Sequence, residues 1–389
     1  MRCDTPKKQF GGSNKSSGAI ISMHAIADSI IAIHSDFTLC TYKLQPIRGD
    51  VPFHFKIDKA RVLECKDVAS LKHVLDEAMN IDESNTCCDE RQPQRNASFA
   101  IALGVNSKSA STGSSSSDPT YLLFSCGYFD NSVKIHTLDS LQLQSNINGV
   151  HRGRINCLEV DDEGAIMVTG GDDATGHIWI VDHDALASAI TDGFVKSSLG
   201  RDRSEETKCY HAHTLLGHVT PVTCVAMCSK LDVVLTGSLD GKICIHNIRS
   251  GKFNRALYVD AITEEVQELC AGNGIPVKKL AIHSDGFFLA HLYDGSLHVI
   301  SVNGQQLCST NIGESLNTMI ICPKSETVIT GGDKGCVRIW ALEDLTLKCT
   351  VDVKKNGPIT SLAFTPGARQ FLCIGSSNGM LSIVSRMPW

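Results

Sequence analysis

Long apolar runs are missing from this chain: no stretch of its 389 residues approaches the roughly 18 that a membrane span needs. A basic excess is missing too. The 36 Lys and Arg face 42 Asp and Glu, a formal net charge of -6, which excludes the dense positive stripe that tracks nucleic-acid phosphates. Aromatic residues make up only 6%, and they do not interleave with basic ones as a base-stacking platform requires. The opening "MRCDTPKKQFGGSNKSSG" has no apolar signal core, so secretory targeting is not expected. Cysteine is plentiful at 17, yet no C-x-x-C pair occurs. Cys40, Cys157, Cys224, Cys244, Cys336 and Cys373 lie inside apolar runs, where a thiol acts as a small hydrophobe. A reducing cytoplasmic setting is therefore expected, with no cofactor and no metal.

What is present is a repeat. The segments "TGGDDATGHIWIV" (169–181), "TGSLDGKICIHNI" (236–248), "TGGDKGCVRIWAL" (330–342) and "CGYFDNSVKIHTL" (126–138) align without a gap. Looser copies are "IHSDFTLCTYKL" (33–44), "HLYDGSLHVISV" (291–302) and "GSSNGMLSIVS" (375–385). The shared turn position holds Asp36, Asp130, Asp173, Asp240, Asp294, Lys334 and Asn378, spaced by 94, 43, 67, 54, 40 and 44 residues. A period near forty, with short strands rich in Val, Ile, Leu and Cys between turn residues, predicts an all-β chain: a WD40 β-propeller of seven blades. No room remains between consecutive strands for a helix, which excludes an α/β fold.

A carboxylate at the turn accepts hydrogen bonds from backbone N–H groups that the hairpin leaves unpaired, and from a histidine one loop away. The predicted sets are His151, Thr169, Asp173 and Trp179 in blade three, and His218, Thr236, Asp240 and His246 in blade four. Each histidine precedes its aspartate by 22 residues, so the arrangement reads as a repeated structural device and not as one active site. Trp340 takes the tryptophan position in a third copy.

The phrases "SCGYFDNSVKIHTLDS" (125–140), "LLGHVTPVTCVAMCSKLDVVLTGSLDGKICIHNIRSGKFNRAL" (215–257), "GAIISMHAI" (18–26) and "VNGQQL" before "VITGGDKGCVRIW" are more particular than a generic repeat. In this order they resemble the carboxy-terminal WD40 propeller of BEACH-domain proteins, the subfamily of neurobeachin and the lipopolysaccharide-responsive beige-like anchor protein. The resemblance runs from about Gly18 to Ser385. It implies a protein-binding scaffold in vesicle trafficking, lysosomal and autophagic sorting and protein anchoring, cytoplasmic or peripheral at endomembranes. No segment resembles the BEACH domain or its pleckstrin-like companion. The chain is accordingly expected to be a fragment, a truncated product or a stand-alone relative, with membrane association supplied by upstream domains.

The domain reading is a polar segment 1–18 followed by the propeller at 19–389. Within the first, "RCDTPKKQF" (2–10), with Pro6, two lysines and little apolar content, is a weak candidate for the closing strand of blade seven, imperfect ring closure being the alternative. Insertions are read at 46–96, 106–119 and 182–213. The first contains "DVASLKHVLDEAM" (67–79), apolar at helical spacing and read as a helix packed on the side of the propeller. The second is a serine-rich loop, and the third, with His211 and His213, a linker between blades. Arg152, Arg154, Lys278, Lys279, Lys354 and Lys355 stand near blade entrances as candidate anion-binding residues, for a phosphopeptide or a phosphoinositide. Propeller hydrolases form the competing class. The first strands "INCLEV", "VTCVAM", "VKKLAI", "LNTMII" and "ITSLAF" offer mainly Asn, Thr and Lys, with Glu159 their lone acid, so no catalytic residue is assigned and no enzyme is expected.

Overall fold

The computed structural model describes residues 7–10, 18–26, 29–35, 38–46, 55–64, 98–104, 120–128, 130–138, 143–149, 151–161, 163–182, 208–259, 274–322, 326–353, 357–365 and 371–384. They form seven four-stranded antiparallel sheets, the blades of a β-propeller fold. Blade one is Ile20–Ile26, Ser29–His34, Thr38–Pro46 and Phe55–Glu64; blade two is Ser98–Gly104, Thr120–Cys126, Val133–Thr137 and Leu143–Ile147. Blade three is Ile155–Val160, Ile166–Gly171, Gly176–Asp182 and Lys208–Leu215; blade four is Val222–Cys228, Val233–Ser238, Lys242–Asn247 and Phe253–Tyr258. Blade five is Val277–Ile282, Phe287–Leu292, Ser296–Ser301 and Gln306–Asn311; blade six is Leu316–Cys322, Thr327–Gly332, Cys336–Ala341 and Leu347–Asp352. Blade seven is Ile359–Phe364, Leu372–Ser376 and Leu381–Val384, with Lys7–Phe10 as its fourth strand, paired from Lys7 opposite Val384 to Phe10 opposite Leu381. The single helical turn among the described residues is Ser229–Leu231, and no helix is long and apolar enough to cross a membrane.

Two of the expected insertions hold strands. Phe55–Glu64 lies within 46–96 and Lys208–Leu215 overlaps the end of 182–213, and each is the fourth strand of its blade. In blade three that strand mixes Lys208, His211, His213 and Thr214 with Cys209, Tyr210, Ala212 and Leu215, and it pairs with the third strand on both sides of a bulge. The candidate helix 67–79, the serine-rich loop 106–119 and Asp36 lie outside the described residues.

Turn chemistry sets the hairpins. In the described hairpins between second and third strands, the residue after the turn position has a left-handed backbone: Asn131, Ala174, Gly241, Gly295, Gly335 and Gly379, with φ from 54° to 85°. Asp-Gly, Lys-Gly and Asn-Gly pairs suit this conformation because glycine has no Cβ to clash. The second strands are buried on both faces, "VVLTGS" and "TVITGG" throughout, which is why they read as unbroken apolar runs. The six cysteines predicted to lie in apolar runs are all buried thiols.

The chain gathers into two units, residues 73–286 and residues 1–72 with 287–389. In the first, Val168, Ile178 and Leu215 of blade three pack on Val222, Val225 and Val234 of blade four. In the second, Ile329, Val337 and Ile339 of blade six meet Ile359, Leu362 and Leu372 of blade seven, and Ile20, Met23 and Ile30 of blade one meet Cys373, Leu381 and Ile383. Each such aliphatic side chain contributes about 1.5–3 kcal/mol by leaving water.

The glycine in each "TG" explains how neighbouring sheets come so close. A Cβ on Gly170 would stand 2.5 Å from Val222, one on Gly237 2.7 Å from Val277, one on Gly331 2.6 Å from Ile359 and one on Gly375 2.9 Å from Ile20. The missing side chain therefore cradles the β-branched residue that opens the next blade. A polar bridge runs beside it. Asn156 Nδ2 donates to Asp172 of its own blade at 2.8 Å and to the Val222 carbonyl of the next at 3.0 Å. The Thr223 hydroxyl, with its one proton, stands between the Gly237 and Val277 carbonyls (3.1 and 2.6 Å), and Asn317 Nδ2 donates to Asp333 and to the Ile359 carbonyl (2.8 and 3.0 Å).

Gly170→Ala is expected to lower stability by about 1–3 kcal/mol, the scale of overpacking. Combined with Val222→Ala, it should cost less than the sum of the two single losses, because the smaller neighbour makes room for the added methyl. Denaturant unfolding of the four chains measures this, and strict additivity contradicts the close approach.

Candidate functional site

The polar clusters at the hairpins are the strongest concentration of chemistry among the described residues. In blade three the carboxylate of Asp173 accepts from His151 Nδ1 (3.1 Å to either oxygen), the Arg152 N–H (2.9 Å), the Thr175 N–H (3.2 Å) and the Thr175 hydroxyl (2.7 Å). His151 Nδ1 must donate, since a carboxylate only accepts. Its Nε2 takes the Thr169 hydroxyl proton at 2.9 Å, and the Thr169 oxygen accepts from Trp179 Nε1 at 3.1 Å. His151, Thr169 and Trp179 are buried. Burial holds the His151 imidazole below its usual value although Asp173 pulls it up. Burial pushes the Asp173 carboxyl up, but bonds from Thr175, His151 and Arg152 outweigh this and leave it below the ordinary range. A neutral imidazole beside an ionised acceptor, with both ring nitrogens occupied, is a fastener. It has no lone pair left to act as a base on a substrate.

Blade four repeats the set with one substitution. His218 Nδ1 reaches Asp240 Oδ1 at 3.4 Å and His218 Nε2 reaches Thr236 Oγ1 at 2.8 Å, while the N–H groups of Val219 and Lys242 donate to Asp240 at 3.2 and 2.9 Å. His246 stands where blade three has Trp179, but its Nε2 donates to the Leu216 carbonyl at 3.0 Å, and Thr236 receives no fourth partner from it. His246 belongs beside the set and not in it.

Blade six reaches the same result with charges exchanged. Trp340 Nε1 donates to Thr330 Oγ1 at 2.9 Å, as in blade three. Lys334 occupies the turn, so no carboxylate comes from it. Glu314, from the loop before the first strand, supplies the acceptor instead: it takes the Lys334 N–H at 3.0 Å and pairs with Arg338. Sequence spacing missed Glu314 because the loop is shorter here, and the signal available was the non-acidic turn residue itself. Asp130 and Asp294 make the simpler turn contacts, to the N–H groups of Ser132 (3.1 Å) and Ser296 (2.9 Å), with no histidine bonded to either carboxylate among the described contacts.

Four of the six candidate anion-binding residues are among the described ones. Arg152 is exposed and Arg154 half-buried in the loop entering blade three; Lys278 is half-buried and Lys279 exposed on the first strand of blade five. Lys354 and Lys355 lie outside the described residues. Three polar residues of the first strands, Asn156, Thr223 and Asn317, form the bridges between blades described above.

A family model described as the neurobeachin β-propeller domain matches residues 92–386, about three quarters of the sequence. The chain belongs to the neurobeachin β-propeller family. It is 27% identical over 270 residues to BEACH domain-containing protein B of Arabidopsis thaliana, covering 68% of this chain and 9% of that protein. It is 21% identical over 378 residues to BEACH domain-containing protein lvsE of Dictyostelium discoideum, covering 95% of this chain and 15% of that one. The propeller therefore spans a small part of these relatives' length. Among solved structures, the WD40 propeller domain of Doa1 matches with a TM-score of 0.59 at 16% identity over 99% of this chain and 98% of its own. The computationally designed Ika8 protein matches with 0.56 at 15% over 95% and 97%. These two likenesses show the fold. A WD40 propeller of the BEACH family is suited to a scaffold role.

Asp240→Ala should reduce unfolding free energy by about 1–3 kcal/mol, since it strands His218 and two buried-side N–H donors. An unchanged melting temperature contradicts the fastener. Stability should also depend on pH in a defined window. His151, His218 and His246 are all held below 6.5, first by burial. The unfolded chain takes up protons below about 6.5 that the folded chain refuses, so stability is full above that pH and falls as pH drops beneath it. Denaturant midpoints that stay flat from pH 7.5 to 5 would count against neutral buried imidazoles.

Proposed function

We propose that this propeller is the partner-docking platform of a BEACH protein, working without catalysis in vesicle trafficking, lysosomal and autophagic sorting and protein anchoring at endomembranes. The observation that carries the reading is the family match over residues 92–386. The hairpin clusters support it, because the histidines and carboxylates a hydrolase would need are bonded to one another and to backbone. What blade four offers to solvent at this edge is apolar. Val219 is 77% and Leu216 63% exposed, on either side of His218, and Tyr258 is 57% exposed beside Lys242, which also reaches Asp240 at 3.8 Å. Apolar residues presented by a rigid, polar-pinned loop suit a protein partner better than a small substrate.

The test is proximity labelling in cells with the chain fused to a labelling enzyme, wild type against Val219→Asp. Endomembrane coat and sorting proteins should be labelled several-fold above a soluble control, and the substitution should remove most of that excess without changing the melting temperature. An even cytosolic labelling pattern contradicts the trafficking role.

A further inference from the structure

Blade three carries a second polar cluster that its fastener does not use. His177 lies two residues before Trp179 on the third strand and pairs across the sheet with Thr214 of the fourth. Simple alternation would put His211 and His213 on one face. A bulge between Ile178 and Trp179 breaks that alternation: His213 falls opposite Ile178 and His211 opposite Trp179. His211 therefore joins His177 and Thr214 on one face, while His213 turns away and bonds the Arg249 carbonyl through Nε2 at 2.9 Å.

Three ligand-type atoms meet there. His177 Nδ1 is 2.9 Å from His211 Nε2, and Thr214 Oγ1 is 3.2 Å from each. A proton inventory fixes which nitrogen of His177 is bare. Thr175 gives its one hydroxyl proton to Asp173, so at its 3.1 Å contact with His177 Nε2 the imidazole must be the donor. Neutral His177 then presents a lone pair at Nδ1, which accepts from His211 Nε2 in the metal-free chain, so an ion entering here shifts that proton to the other nitrogen of the His211 ring. The far N–H of His177 is tied through Thr175 to a carboxylate. Metal-binding imidazoles are oriented in this way, by a hydrogen bond from the nitrogen that does not ligate.

His151, Asp173 and His177 also converge, with ligand atoms within 4.8 Å of one another. That trio is a poorer set, because both nitrogens of His151 and the carboxylate of Asp173 are held by the fastener. We propose that His177 Nδ1, His211 Nε2 and Thr214 Oγ1 form a site for one divalent transition-metal ion, with water completing its shell. Ligands about 2.1 Å from one ion stand about 3.0 Å apart at octahedral angles and about 3.4 Å apart at tetrahedral ones, and the 2.9–3.2 Å found here lies near the octahedral value. Two imidazoles select zinc, nickel or copper over calcium and magnesium, which prefer all-oxygen shells. Access is open, since His211 and Thr214 are exposed while His177 is buried.

Trp179 is a built-in reporter, its ring edge-on to His211 with centroids 5.4 Å apart, in a chain with three tryptophans. The experiment is a titration of the untagged full chain with Ni²⁺, a paramagnetic quencher, read by tryptophan emission. Saturable quenching is expected, absent in Trp179→Phe. His211→Ala, at an exposed position, should need at least tenfold more Ni²⁺ for the same effect, whereas His213→Ala should titrate as wild type. No saturable quenching, an unchanged curve for His211→Ala, or an equal loss in His213→Ala overturns the proposal.

Discussion

The structure depends on a carboxylate placed against donors that a tight hairpin cannot otherwise satisfy. Asp173 accepts from two backbone N–H groups, a threonine hydroxyl and a histidine, and Asp240 repeats the pattern one blade later. Blade six shows that the requirement is for an acceptor and not for a particular residue. When Lys334 takes the turn, Glu314 comes from the opposite loop and Arg338 balances it. An unsatisfied buried donor costs about 1–3 kcal/mol, comparable to the loss of a good core contact, which is reason enough for the device to recur.

The same segments couple one blade to the next. Asp172, beside the turn aspartate, holds Asn156, and Asn156 also donates to the carbonyl of Val222 in blade four. The glycine that follows Thr169 leaves space for the Val222 side chain. One phrase, "TGGDD", thus closes a hairpin, seats a neighbouring sheet and bonds to it.

The repeat, the turn residues and the His–Asp pairs of blades three and four were legible because they are matters of count: a period near forty and a spacing of 22 survive any surrounding composition. The same count misplaced His246 in the blade-four set. Three features were not legible. The fourth strands Phe55–Glu64 and Lys208–Leu215 hid inside apparent insertions, since neither carries the turn phrase by which the repeat was counted. The Glu314–Arg338 substitution breaks the spacing while keeping the physics. The bulge that recurs opposite the tryptophan position in blades one to six, at Tyr42, His136, Trp179, His246, Ile300 and Trp340, is a backbone register event. No residue pattern announces it, yet it decides that His211 and not His213 faces His177.

The fastener rests on the hairpin clusters, in which a histidine and a carboxylate are bonded to each other and to backbone. The most direct measurement is a double-mutant cycle on His151 and Asp173, with unfolding free energies of the wild type, the two single alanine variants and the pair. A coupling of about 1 kcal/mol or more is expected for partners sharing a buried hydrogen bond. Additive losses, with no coupling between the two side chains, would contradict the fastener and the account built on it.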